Sequence, residues 1–166
     1  MSRQATDDGR SWGSAGQARR REIVSTPSKS FVDTNVAVYA MDDGAPAKQA
    51  RAREFLRGAR AESHVVSPQV LQEFYNAVTR KLARPVPATE AEQAVRLLSR
   101  LTVVPADAAL VVAAIELHRR HQFSLWDALI LQSALAGGCT RLVTEDLQDG
   151  FRLASLVVEN PFRGLP

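Results

Sequence analysis

A chain of 166 residues is of a size for one domain with a hydrophobic core that needs no disulfide. Its hydrophobic fraction of 45% fits a globular protein, no stretch approaches the roughly 18 uninterrupted apolar residues of a membrane span, and Cys139 stands alone, which excludes an intrachain disulfide and favours a reducing, cytoplasmic setting. The net charge of +3 is confined to residues 1–29, where six bases meet three acids; the bases and acids that follow cancel, so global charge is no argument for a nucleic-acid partner.

Residues 1–29 are rich in Ser, Gly, Gln and Arg and hold almost no large apolar side chains. Burial cannot offset the ordering entropy of such a segment, so it reads as a disordered basic tail without an apolar signal core, ahead of one domain over residues 30–166. Phe31-Val32 opens that domain as a short strand, ends in Asp33, and passes through Thr34 and Asn35 into helical spacing at Val36, Tyr39 and Ala40. Asp42 to Pro46 is a turn, and Ala47 to Arg60 a helix carrying Arg51, Arg53, Arg57 and Arg60. His64-Val65-Val66 is a second strand. Ser67-Pro68 then pairs an N-cap with a proline at the first helical position, starting a helix to about Ala83. After the break at Arg84-Pro85-Val86-Pro87, Thr89 is expected to cap a helix through Ser99. Leu101 to Val104 is a third strand and Ala108 to His121 a helix. Ser124-Leu125-Trp126-Asp127 opens another, which ends at Gly137-Gly138. Arg141 to Thr144 is a fourth strand, Glu145 to Gly150 a turn, and Leu153 to Val158 a weak fifth strand. Strands alternating with helices predict an α/β domain whose parallel sheet is covered on both faces.

Acidic residues mark this pattern at four separate places. Asp33 ends a strand at the sheet edge where open α/β folds bind ligands. Glu73 lies about 100° from the centre of its helix's apolar stripe, on the border between the buried and wet faces. Asp127 completes Ser124-x-x-Asp127, a pattern that is equally a capping box. Asp146 follows a strand by two residues, in a turn shared with Glu145 and Asp149. Taken singly, each acid has a structural explanation as a cap, a surface residue or a turn former. Taken together they would repel one another and raise their own pKa values unless a cation held them. Hard oxygen ligands suit Mg²⁺ or Mn²⁺, which can activate water against a phosphodiester.

Phe31-Val32-Asp33-Thr34-Asn35, the helix with Glu73, Ser124-Leu125-Trp126-Asp127-Ala128 and Leu142-Val143-Thr144-Glu145-Asp146-Leu147, in that order, resemble the PIN-domain nucleases, and among them the VapC-type toxins of bacterial toxin–antitoxin pairs. Glu159-Asn160-Pro161-Phe162 is similar to the ending of those proteins. The resemblance implies a three-layer α/β/α sandwich around a parallel sheet and a divalent-metal-dependent endoribonuclease. It implies that Asp33, Glu73, Asp127 and Asp146 bind the metal, with Asn35 and Thr144 as polar support. It also implies a homodimer held inactive by a cognate antitoxin. Arg80, Lys81 and Arg84, closing the Glu73 helix, are candidate RNA contacts; the plainer reading is a solvated helix end. Trp126 is a base-stacking or a packing residue, and His118 and His121 a surface pair rather than a zinc site. Two other classes stay open: a scaffold that keeps the fold and binds RNA without cutting it, and a strand-end-aspartate phosphatase. A dehalogenase-like phosphatase would want an acid where Asn35 stands.

Overall fold

The computed structural model describes residues 28–165; apart from Ser28 and Lys29, the expected tail lies outside them. In chain order the elements are β1 (Ser30–Val32), α1 (Thr34–Met41), α2 (Pro46–Arg57), β2 (His64–Val66), α3 (Pro68–Arg80) and α4 (Ala88–Leu98). There follow β3 (Thr102–Val103), α5 (Ala108–His121), α6 (Leu125–Ala136), β4 (Arg141–Val143), β5 (Arg152–Leu153) and β6 (Leu156–Glu159). The six strands form one sheet in the order β3-β2-β1-β4-β6-β5. Helices α1 to α4 pack against one another and α5 packs on α6, which gives the three-layer α/β/α sandwich. No helix among the described residues is long and apolar enough to cross a membrane.

The central strands are short and, after the polar residue that opens each of them, apolar, because both of their faces are covered. Phe31, Val32, Val65, Val66, Leu142 and Val143 are all fully buried, and Ser30 is nearly so. A second, smaller cluster of Ala37, Phe74, Val78 and Ala91 joins α1, α3 and α4. Cys139 is buried, and that burial pushes its thiol up to about 11, so it is a packed thiol and not a nucleophile.

Three expectations need correction. The sheet is not wholly parallel: instead of one strand over Leu153 to Val158, the chain reverses after Leu153 with Ala154 at φ 52°, and β5 runs antiparallel to β6. An alanine in the left-handed region carries none of the Gly or Asn signal by which a tight reversal is read. Helix α4 begins at Ala88 with Pro87 at its N-cap and no side-chain cap, so Thr89 lies inside the first turn. Helix α2 stops at Arg57, before Gly58, which leaves Arg60 in the following loop, where its guanidinium bonds the Arg57 and Ala59 carbonyls.

One topological fact places the site. From β1 the chain moves outward to β2 and β3 on one side, then returns to β4 on the other side of β1. The direction of winding therefore switches between β1 and β4, and the carboxyl ends of those two strands are where folds of this kind bind ligands.

Candidate active site

Asp33 follows β1, and Thr144 follows β4. Val32 pairs with Val143 in parallel register, and the Asp33 N–H donates to the Val143 carbonyl at 3.1 Å, so the two residues leave the sheet side by side. The Thr144 hydroxyl donates to Asp33 Oδ2 at 2.7 Å. Asp33 is also the N-cap of α1, taking the Thr34 N–H on Oδ1 at 2.7 Å. Two residues later, Asn35 Nδ2 points to Thr144 Oγ1 (2.9 Å), Asp146 Oδ2 (3.0 Å) and Asp33 Oδ2 (3.3 Å). Asp146 closes the loop by donating its own N–H to Thr144 Oγ1 at 3.1 Å. Because Asp33 and Asp146 share one donor, their carboxylate oxygens lie within about 6 Å of each other, the sum of two hydrogen-bond lengths.

Among the described residues neither carboxylate has a basic partner. Asp33 is 7% exposed, and its pKa is raised from 3.8 to about 6. Burial is the main cause and the charges of Asp146 and Glu73 add to it, while the bonds from Thr144 and the Thr34 N–H oppose it. The buried Asn35 Oδ1 has no hydrogen-bond partner. A buried carboxylate beside a second one, neither of them paired with a base among the described residues, is an oxygen donor pair that suits a hard divalent cation.

Glu73 stands half-buried at the helix border, as its angular position predicts. Its Oε2 accepts from the Thr34 hydroxyl at 3.0 Å and its Oε1 from Gln69 Nε2 at 2.9 Å. Asp127 sits one link further out: its Oδ2 accepts from the Ser124 hydroxyl at 2.7 Å while its N–H donates back to Ser124 Oγ at 3.0 Å. Its connection to the other acids runs through Gln69, whose Nε2 also reaches the Trp126 carbonyl at 3.4 Å. The arrangement is thus a close pair, Asp33 and Asp146, with Glu73 tied to it through Thr34 and Asp127 joined more loosely. No group of three or more His, Cys, Asp or Glu among the described residues is close enough to hold an ion unaided. Thr34 and Gln69 escaped the reading of the sequence. Gln69 could have been found as the residue four before Glu73 on one helix face.

The neighbouring acids are committed elsewhere. Glu145 bonds Tyr39 and Lys48, and Asp149 bonds the Asn160 N–H and Arg163. Arg84 is paired with Asp43, beyond the far end of α1 from Asp33, whereas Arg80 and Lys81 are exposed. Arg53 is tied to the Ala40 carbonyl. His118 bonds the Phe123 carbonyl and His121 stacks on Phe123, and among the described residues they belong to no group of three metal-ligating side chains. Trp126 is 63% exposed and so is not a packing residue. Away from the acids, a groove of about 600 Å³ is lined by Met41, Leu56, Phe74, Leu97 and Leu98 and rimmed by Arg53, Arg57, Arg60 and Arg100.

Solved structures with this architecture include Mycobacterium tuberculosis VapC20, described as a sarcin–ricin-loop-cleaving toxin, at 24% identity and a TM-score of 0.58, covering 69% of this chain and 87% of that one. A toxin–antitoxin complex from Klebsiella pneumoniae aligns at 18% identity and TM-score 0.58 over 80% and 98% of the two chains. FitAcB from Neisseria gonorrhoeae aligns at 18% identity and TM-score 0.55 over 81% and 99%. At such identities the likeness speaks for the fold. No curated protein matches the chain by sequence. The family model of the PIN domain matches residues 30–153, from the first strand to the antiparallel edge strand and through all four acids, and the chain belongs to the PIN domain family.

Proposed function

We propose that the protein is a metal-dependent endoribonuclease acting as the toxin of a toxin–antitoxin pair. The observation that carries this reading is the Asp33–Asp146 pair at the β1/β4 switch point, one member buried and neither neutralised by a base. Asp33 and Asp146 would hold Mg²⁺ or Mn²⁺ directly, and Glu73 and Asp127 through water. Such an ion supplies a polarised phosphoryl oxygen and a more acidic bound water. The chain's own part is orientation. Thr144 and Asn35 hold both carboxylates toward one space, and Glu73, fixed at both oxygens by Thr34 and Gln69, presents its charge at the rim where an attacking water would be oriented.

Arg80 lies seven residues beyond Glu73 on the same face of α3, about 10 Å along its axis, and with Lys81 forms an exposed basic end for RNA phosphates. Arg84 would have to leave Asp43 to join them. The antitoxin reading has support in the structures of similar fold, which include a toxin–antitoxin complex. The apolar groove with its four arginines suits an acidic amphipathic peptide. A cytoplasmic homodimer completes the proposal. One observation favours the scaffold alternative: the Asp127 carboxylate is turned back onto Ser124. Incubating the protein with RNA in Mn²⁺ or Mg²⁺, then in EDTA, separates the two. Cleavage that needs the ion and disappears in Asp33→Asn supports the nuclease, and binding without cleavage supports the scaffold.

A further inference from the structure

A second polar cluster adjoins the acids without belonging to them. Lys48, on α2, donates from Nζ to Glu145 Oε2 at 2.6 Å and to Tyr39 Oη at 2.9 Å, and Tyr39 Oη donates to Glu145 Oε1. The ammonium stands 4.4 Å from the centre of the Tyr39 ring and 5.7 Å from that of Phe162, and the two rings meet edge to face at 4.9 Å. The Lys48 and Glu145 side chains are only 26% and 21% exposed. Residues from α1, α2, the turn after β4 and the segment after β6 therefore close on one shielded ion pair. At the other end of the same turn, Asp149 takes the Asn160 N–H at 2.9 Å and Arg163 Nη1 at 2.6 Å. The turn is pinned at both ends, and Asp146 is the acid left facing Asn35.

We propose that Lys48 is a positioning residue for the acidic site: by holding Glu145 against Tyr39 it fixes the turn that presents Asp146 and keeps the neighbouring carboxylate out of that site. Glu145 and Asp146 are adjacent, so an unpaired Glu145 would bring another negative charge to a pair that already repels, and would let the turn present either acid. The aromatic cover makes this contact unlike the exposed pairs Arg96–Glu92 and Arg84–Asp43, which hold nothing near the site. It also accounts for the C-terminal Asn160-Pro161-Phe162, whose ring is one wall of the ammonium's seat. Partners that orient a ligand in this way change metal affinity by about 10–100-fold when removed.

The inference rests on the nuclease reading, and calorimetric titration of the full chain with Mn²⁺, without RNA, separates the two. Lys48→Met should weaken Mn²⁺ binding about tenfold, with cleavage recovering at saturating Mn²⁺, and Lys48→Arg should restore most of the affinity. Should Lys48→Met fail to fold, Tyr39→Phe, which removes one hydroxyl and keeps the ring, should still weaken binding about threefold. A folded Lys48→Met or Tyr39→Phe with wild-type Mn²⁺ affinity overturns the positioning role alone. Absence of Mn²⁺ binding by the wild-type chain would take down the nuclease reading, and this one with it.

Discussion

Thr144 gives its hydroxyl hydrogen to Asp33 at 2.7 Å, joining the residues that follow two adjacent central strands. The same oxygen accepts from Asn35 and from the Asp146 N–H, so one fully buried hydroxyl serves three partners. Thr144→Val, nearly the same in shape, removes all three bonds. It should cost about 1–3 kcal/mol of stability and most of the cleavage activity, while Thr144→Ser keeps both. Thermal melts beside a cleavage assay decide it; a fully active valine variant would show that the hydroxyl is dispensable.

Asp33 makes the metal-free protein pH-sensitive. Its folded pKa, about 6, lies above the ordinary 3.8, so the folded state holds its proton more tightly than the unfolded state. The contribution is complete below about pH 4 and is lost as pH rises through about 6, and the full loss is about 3 kcal/mol from a shift of about two units. In EDTA, denaturant melts of the wild type should therefore lose ground to Asp33→Asn between about pH 4 and 6 and run level above that, where Mn²⁺ should return the loss. Parallel curves for the two proteins would refute this.

Among the described residues, Gln69 alone hydrogen-bonds both Glu73 and the Trp126 carbonyl. Because it is only half-buried, Gln69→Leu should leave the melting point within a few degrees of the wild type. Cleavage at saturating RNA should fall about tenfold, a loss in orientation rather than in binding. A rise in KM with kcat unchanged would instead place Gln69 on the substrate path.

Trp126, at 63% exposure, contributes little to the core, so Trp126→Ala should change stability by no more than about 0.5 kcal/mol. If an unpaired base stacks on it, KM for single-stranded RNA should rise roughly tenfold, in keeping with about 1–3 kcal/mol per stacked base. An unchanged KM would leave the indole without a part in substrate binding.

The position of Asp33 was legible because the change from strand to helical periodicity falls on it, and the caps at Ser67 and Ser124 were legible because capping is a local interaction. The reversal at Ala154 was not, since the pairing of β6 with β4 and of β5 with β6 decides it and no Gly or Asn announces it. Neither Thr34–Glu73, 39 residues apart, nor Glu145–Lys48, 97 apart, has any one-dimensional trace. Among the acids of the 145–149 turn, composition and spacing do not distinguish Asp146, which only the family resemblance singled out; in space each acid has its own partner. Glu145 goes to Lys48, Asp149 to Arg163, and Asp146 to Asn35.

Both rims of the sheet, β3 and β5, are two residues long. A rim so short offers an incoming strand too few main-chain bonds to offset the entropy of straightening it, so these two rims are poor templates for stacking side by side into fibres. A peptide that added itself as a strand would find few main-chain bonds at either rim, and lengthening β3 by design would open a route to self-association.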